Sequence, residues 1–113
     1  MDAGTIISLH SLRSIHRVRI DGIVQVHYDS SICDVVLDNG TVILMAKSLN
    51  YFEEILPKSQ FVRINRSDIV NLNHIIEIRS DGSRKKTCVL SNEKRLQVSY
   101  RRWPILKDQI LLL

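Results

Sequence analysis

The sequence predicts a single, mainly β domain of short antiparallel strands interrupted by two helices, and three observations carry that expectation. Ile and Val together supply 25 of the 113 residues, whereas Ala supplies two; branched side chains lose rotamer freedom in a helix and pack well on a pleated sheet. Turn signals recur at short intervals, at Asp21-Gly22, Asp29-Ser30-Ser31, Asp38-Asn39-Gly40, Asp81-Gly82-Ser83 and Ser91-Asn92. Between them run segments with the two-residue alternation of half-buried strands. Tight turns imply antiparallel pairing, because parallel neighbours need long crossovers.

The expected strands are residues 5–9, 15–20, 23–28 and 32–37, then 41–46 after Asn39-Gly40, a strong hairpin signal. Later strands are expected at 61–65, 75–79, 86–90 and 95–99. Ser48 is placed to cap a first helix, on which Leu49, Phe52 and Leu56 share one face before Pro57 ends it. A second helix is expected to begin near Arg102–Pro104, since first-turn amides have no partner and Pro is tolerated there. Leu106, Ile110 and Leu113 share one face of it, and the closing Leu111–Leu113 is the one apolar stretch expected to be exposed.

Composition excludes several classes. Leu, Ile, Val and Phe make up 40 of 113 residues, well above the roughly 20% below which chains stay disordered. No apolar run approaches the roughly 18 residues of a membrane span, and Met1-Asp2-Ala3-Gly4 has no basic start leading into an apolar stretch, so a soluble cytoplasmic protein is expected. Cys33 and Cys88 lie in apolar, strand-like runs and read first as small buried thiols, with a disulfide between them left open. His10, His16, His27 and His74 lack the spacing of a metal site. The chain carries no GxGxxG, P-loop or GxSxG motif, and Glu53-Glu54 points its carboxylates about 100° apart on a helix. Neither an enzyme nor a cofactor is expected. Charge is uneven: residues 1–60 carry five Lys/Arg and seven Asp/Glu, residues 61–113 eleven and five, for a net +4. Such a basic half fits either a solvated surface or a polyanion-binding face.

The stretch Phe61-Val62-Arg63-Ile64-Asn65-Arg66-Ser67-Asp68-Ile69-Val70-Asn71-Leu72-Asn73-His74-Ile75 strongly resembles the signature of the LytTR DNA-binding domain family. Three further features agree in order and spacing: Asp38-Asn39-Gly40 ahead of a strand and the helix at Ser48-Leu49, the apolar strand Ile23-Val24-Gln25-Val26-His27-Tyr28, and Leu96-Gln97-Val98-Ser99-Tyr100-Arg101-Arg102 leading into the last helix. The likeness covers about residues 5–110 of a single 1–113 domain. It implies an elongated stack of small antiparallel sheets with one short helix between them and a C-terminal helix. It also implies sequence-specific binding of double-stranded DNA by strand-end loops in successive major grooves, as in effector domains of bacterial two-component response regulators. Partners so implied are promoter DNA with direct repeats and a homodimer formed mainly on DNA; the domain is expected either to work with a receiver domain in a longer native chain or to be controlled by other means.

Within that resemblance, Arg66 and Arg101 match base-reading positions, and an arginine fork can bond both guanine acceptors of the major groove. Ser31 falls in the first recognition loop, where a hydroxyl bonds bases with little discrimination. Ser67 and Arg102 are expected backbone contacts; cations at a helix start oppose the helix dipole, which favours a polyanion there. Asn65 either contacts backbone phosphate or satisfies its own turn. Arg63, on the polar side of its strand, is an exposed charge or a further phosphate contact. Tyr100 departs from the family pattern, which often has a basic residue there, and either bonds phosphate through its hydroxyl or simply packs. Arg84-Lys85-Lys86 reads most simply as a solvated hairpin tip, with contact to the DNA backbone as the lesser alternative. The rival function is a small all-β protein-interaction module with a basic face. Single-stranded RNA binding is disfavoured by six aromatic residues in all, too few for a stacking platform.

Overall fold

The computed structural model describes residues 4–82 and 84–111. β1 (Ile6–His10) and β2 (Ile15–Arg19) form a two-stranded hairpin. β3 (Ile23–Asp29), β4 (Ile32–Leu37), β5 (Val42–Met45), β6 (Phe61–Arg63) and β7 (Asp68–Asn71) form a five-stranded sheet in the order β5-β4-β3-β7-β6. β8 (Ile75–Ser80), β9 (Lys86–Leu90) and β10 (Arg95–Val98) make the third sheet. All these pairings are antiparallel, and the domain measures 45 × 32 × 24 Å. The expected hairpin at Asn39-Gly40 is present: Gly40 sits at φ 89°, a conformation that glycine adopts without a Cβ clash.

The largest departure from the sequence reading is β7, which lies in the middle of the five-stranded sheet between β3 and β6. Its four residues are all buried, Asp68 and Asn71 included. A strand covered on both faces shows no alternation, and Asp and Asn at its ends read as turn residues. β6 correspondingly ends at Arg63 instead of continuing to residue 65.

The five-stranded sheet has a core on each face. On one, Val26, Val35, Ile43 and Ile69 pack with Leu9 and Val18 of the hairpin and with Leu49, Phe52 and Leu56 at helix α1 (Leu49–Ile55). On the other, Val24, Val62 and Val70 meet Cys88, Leu90 and Val98 of the third sheet and Leu106 of helix α2 (Trp103–Leu111). A register shift between Ile23 and Gln25 in β3 puts Ile23 and Val26 in the first core and Val24 in the second. The Ser48 cap holds as expected, its Oγ accepting from Tyr51 N at 3.3 Å, and the helix stops before Pro57.

Cys33 and Cys88 are both free and buried, one in each core, so they are not disulfide partners. Burial pushes their thiols up to about 11 and about 12 respectively. Leu111 is exposed as expected, and apolar surface is exposed in addition at Leu12 and Ile15 of the hairpin and at Val42 and Leu44 of the edge strand β5. Leu112 and Leu113 lie outside the described residues. Among the described residues no helix is long and apolar enough to cross a membrane.

Candidate nucleic-acid interface

Three connections meet at one end of the five-stranded sheet. They are the turn after β3 (residues 29–32), the β6–β7 loop (residues 64–67) and the lead into α2 (residues 99–102); hydrogen bonds tie the β6–β7 loop to the end of β3 and to the lead into α2. Tyr28 N donates to Ser67 O at 2.8 Å, and Ser99 N donates to Ile64 O at 2.8 Å. Asn65 Nδ2 donates to Gln97 O at 2.7 Å, while its Oδ1 accepts from Ser67 N at 2.7 Å. A single asparagine thereby shapes the loop and ties it to the third sheet. Its acceptor and one amide hydrogen are spent within the protein, as the turn-satisfying alternative for Asn65 requires, while the second amide hydrogen has no partner within the described residues.

Arg66 stands exposed at the tip of this loop, beside a cleft lined by His27, Ser67, Arg95, Gln97 and Ser99. Arg101 is exposed in the turn that follows Ser99, and Arg102 is half-buried in a groove between α1 and α2. Ser31 is exposed at φ 77°, next to Ser30 at φ 51°; two successive left-handed residues form the tight turn that matches the twist of paired strands. Tyr100 is 65% exposed, and the Arg84 guanidinium lies 5.0 Å from its ring centre. The tip at residues 84–86 therefore packs against the lead into α2, with Lys86 also 5.6 Å from the Trp103 ring; its Ser83 lies outside the described residues.

Arg63 differs most from expectation. Its guanidinium bonds to Asn65 O, Arg66 O, Asn50 Oδ1 and Glu53 Oε1, so it faces inward under the loop instead of outward. By contrast, Arg66, Arg95, Arg101 and Arg102 have no carboxylate within ion-pair distance among the described residues, unlike His27 with Asp68, Arg63 with Glu53 and Arg79 with Glu77. Unpaired arginines packed at one end create a positive potential that attracts a polyanion. The one acid in the cleft, Asp68, is buried and held by Gln25 Nε2 at 3.1 Å and His27 Nδ1 at 2.8 Å.

His27, Arg95 and Gln97 were not singled out from sequence. Arg95 and Gln97 alternate with Leu96 and Val98, so the outward direction was readable, but only strand register places them beside Arg66. His74 is a structural crosslink, its ring nitrogens bonded to Ser91 Oγ and Asp21 O, and no metal-binding cluster occurs among the described residues.

The LytTr DNA-binding domain family model matches residues 13–111. Among solved structures, the chain is similar to the LytTr DNA-binding domain of a putative methyl-accepting/DNA response regulator from Bacillus cereus, with 25% identity and a TM-score of 0.81 over 93% of this chain and 95% of that one. No curated protein matches. Family match, shared fold and a basic end built from strand-end loops converge on a non-enzymatic domain that binds DNA and regulates transcription: the chain belongs to the LytTR family of DNA-binding domains.

Proposed function

We propose that the domain reads double-stranded promoter DNA sequence-specifically, through the loops at residues 29–32, 64–67 and 99–102 entering successive major grooves. The observation that carries this reading is the lacing of the loops at residues 64–67 and 99–102 around unpaired Arg66 and Arg101. Arg66 and Arg101 read base edges, with Ser31 contributing an undiscriminating bond. Ser67, Tyr100 and Arg102 fix register through phosphates. His27, Arg95 and Gln97 extend the same surface. The Bacillus cereus relative, described as a response regulator, supports a two-component setting for this domain.

Two domains on direct repeats face the same way, so their contact is head-to-tail and forms mainly on DNA. Sedimentation of the free domain is expected to give a monomer at micromolar concentration; a tight dimer there would defeat this part. The central test is selection of bound duplexes from a random pool, followed by gel retardation with the selected duplex, a random duplex and single strands. The selected duplex is expected to be retarded most strongly. Preference for single strands refutes the reading, and retardation of nothing points to an acidic protein partner.

A further inference from the structure

Arg63 makes more side-chain hydrogen bonds in this region than the other residues expected to touch DNA. Nε donates to Asn65 O at 3.2 Å and Nη2 to Arg66 O at 2.8 Å. Nη1 donates to Asn50 Oδ1 at 3.0 Å and Glu53 Oε1 at 2.7 Å. The first pair grips the backbone on which Arg66 stands, and the second pair grips helix α1. That helix is anchored in the first core by Leu49 and Phe52, both buried. The guanidinium is planar, with donors in a fixed fork, so its two ends cannot move independently. Its side chain is 17% exposed.

We propose that Arg63, held by Glu53 and Asn50, is a positioning residue that sets DNA specificity by fixing the carbonyls of Asn65 and Arg66, and that it does not contact DNA itself. This inference rests on the reading of Arg66 as a base-reading residue. A bidentate base contact requires the donor fork at the right place and angle. A loop free to shift would still present the positive charge of Arg66 to phosphate but would lose the geometry that distinguishes one base pair from another. Glu53 then has a function opposite to its charge. An acidic residue beside a DNA-binding end repels phosphate, so simple electrostatics says its removal should tighten binding to every duplex. The positioning role says its removal should cost discrimination.

The test compares the parent with Glu53→Ala, the Asn50→Ala/Glu53→Ala pair, Arg63→Lys and Arg66→Ala. Affinities are measured for a selected duplex and a random duplex across a salt series. Glu53→Ala is the key variant, because Glu53 is partly exposed and lies outside both cores, and thermal unfolding checks that the fold is kept. The ratio of selected to random affinity is expected to fall about fivefold or more in the pair, with the salt slope unchanged. Arg63→Lys, which keeps the charge without the fork, is expected to do the same. Once Arg66→Ala is present, adding Glu53→Ala should change the ratio no further, since coupled residues are not additive. A ratio within about twofold of the parent in the Asn50/Glu53 pair, or tighter binding to all duplexes alike, would overturn the inference. A collapse in Arg66→Ala alongside an unchanged pair would sink the positioning role alone. An unchanged ratio in Arg66→Ala would sink the base-reading assignment beneath it.

Discussion

Raising ionic strength from about 50 to about 200 mM is expected to weaken duplex binding about 12-fold per domain, a figure that follows from which cations are free to meet phosphate. Arg66 and Arg101 are assigned to base edges and Arg63 is committed to Glu53 and two backbone carbonyls, which leaves Arg95 and Arg102, without a carboxylate partner among the described residues, as the phosphate cations of the loop end. Each cation set against a phosphate releases condensed counterions, with a log-log slope of about −0.9 apiece, so two give about −1.8. Including Arg63 would steepen the slope to about −2.7 and the loss to about 40-fold, a difference the measurement can resolve. Fluorescence anisotropy of a labelled duplex at several salt concentrations reads the slope directly. Arg102→Ala should reduce it to about −0.9, or about a 3.5-fold loss over the same range. A parent slope shallower than about −1, or an Arg102→Ala slope equal to the parent's, would refute the assignment of these two arginines to phosphate.

Other consequences are equally specific. Arg66→Lys keeps the charge and loses the fork, so it should narrow the gap between selected and random duplexes by about 1–3 kcal/mol with the salt slope kept; equal selectivity in competition binding would make Arg66 a phosphate anchor. Ser31→Gly should stabilise the fold by about 1 kcal/mol, read as a higher urea midpoint, because Ser31 sits at φ 77° where glycine is unstrained; a lower midpoint would show that its hydroxyl outweighs the backbone strain. Cys33 and Cys88 ionise in the folded chain only near about 11 and about 12, against 9.0 for an ordinary thiol. Above about pH 9 the unfolded state therefore loses protons that the folded state keeps, and stability should fall as pH rises from there. A thiol reagent should label both cysteines on unfolding and neither in the native protein at pH about 8; rapid native labelling would contradict their burial.

How much of this was legible from sequence depended on the range over which each signal acts. Alternation at 15–20, 41–46 and 95–99 found strands because each residue of a half-buried strand reports its own face. The Ser48 cap, the Pro57 stop and the Gly40 turn were readable because each is satisfied within a few residues. The order of motifs around Arg63-Ile64-Asn65-Arg66-Ser67 carried the family, which periodicity could not have named. β7 escaped because a strand buried on both faces has no alternation to display, and its Asp68 and Asn71 are paid for by partners more than forty residues away, Gln25 and Ile23.

The same distinction separates the determined from the undetermined parts of the interface. The sequence alone determined that the domain is mainly β, that its second half is basic, and that Arg66 and Arg101 are the arginines to examine. Only tertiary structure decided that the loops carrying them are joined by Tyr28, Asn65 and Ser99, that His27, Arg95 and Gln97 share the cleft, and that Arg63 turns inward to α1. A side chain's type states what it can bond, but its partner is set by strand register and by the packing of α1, and those are properties of the whole chain.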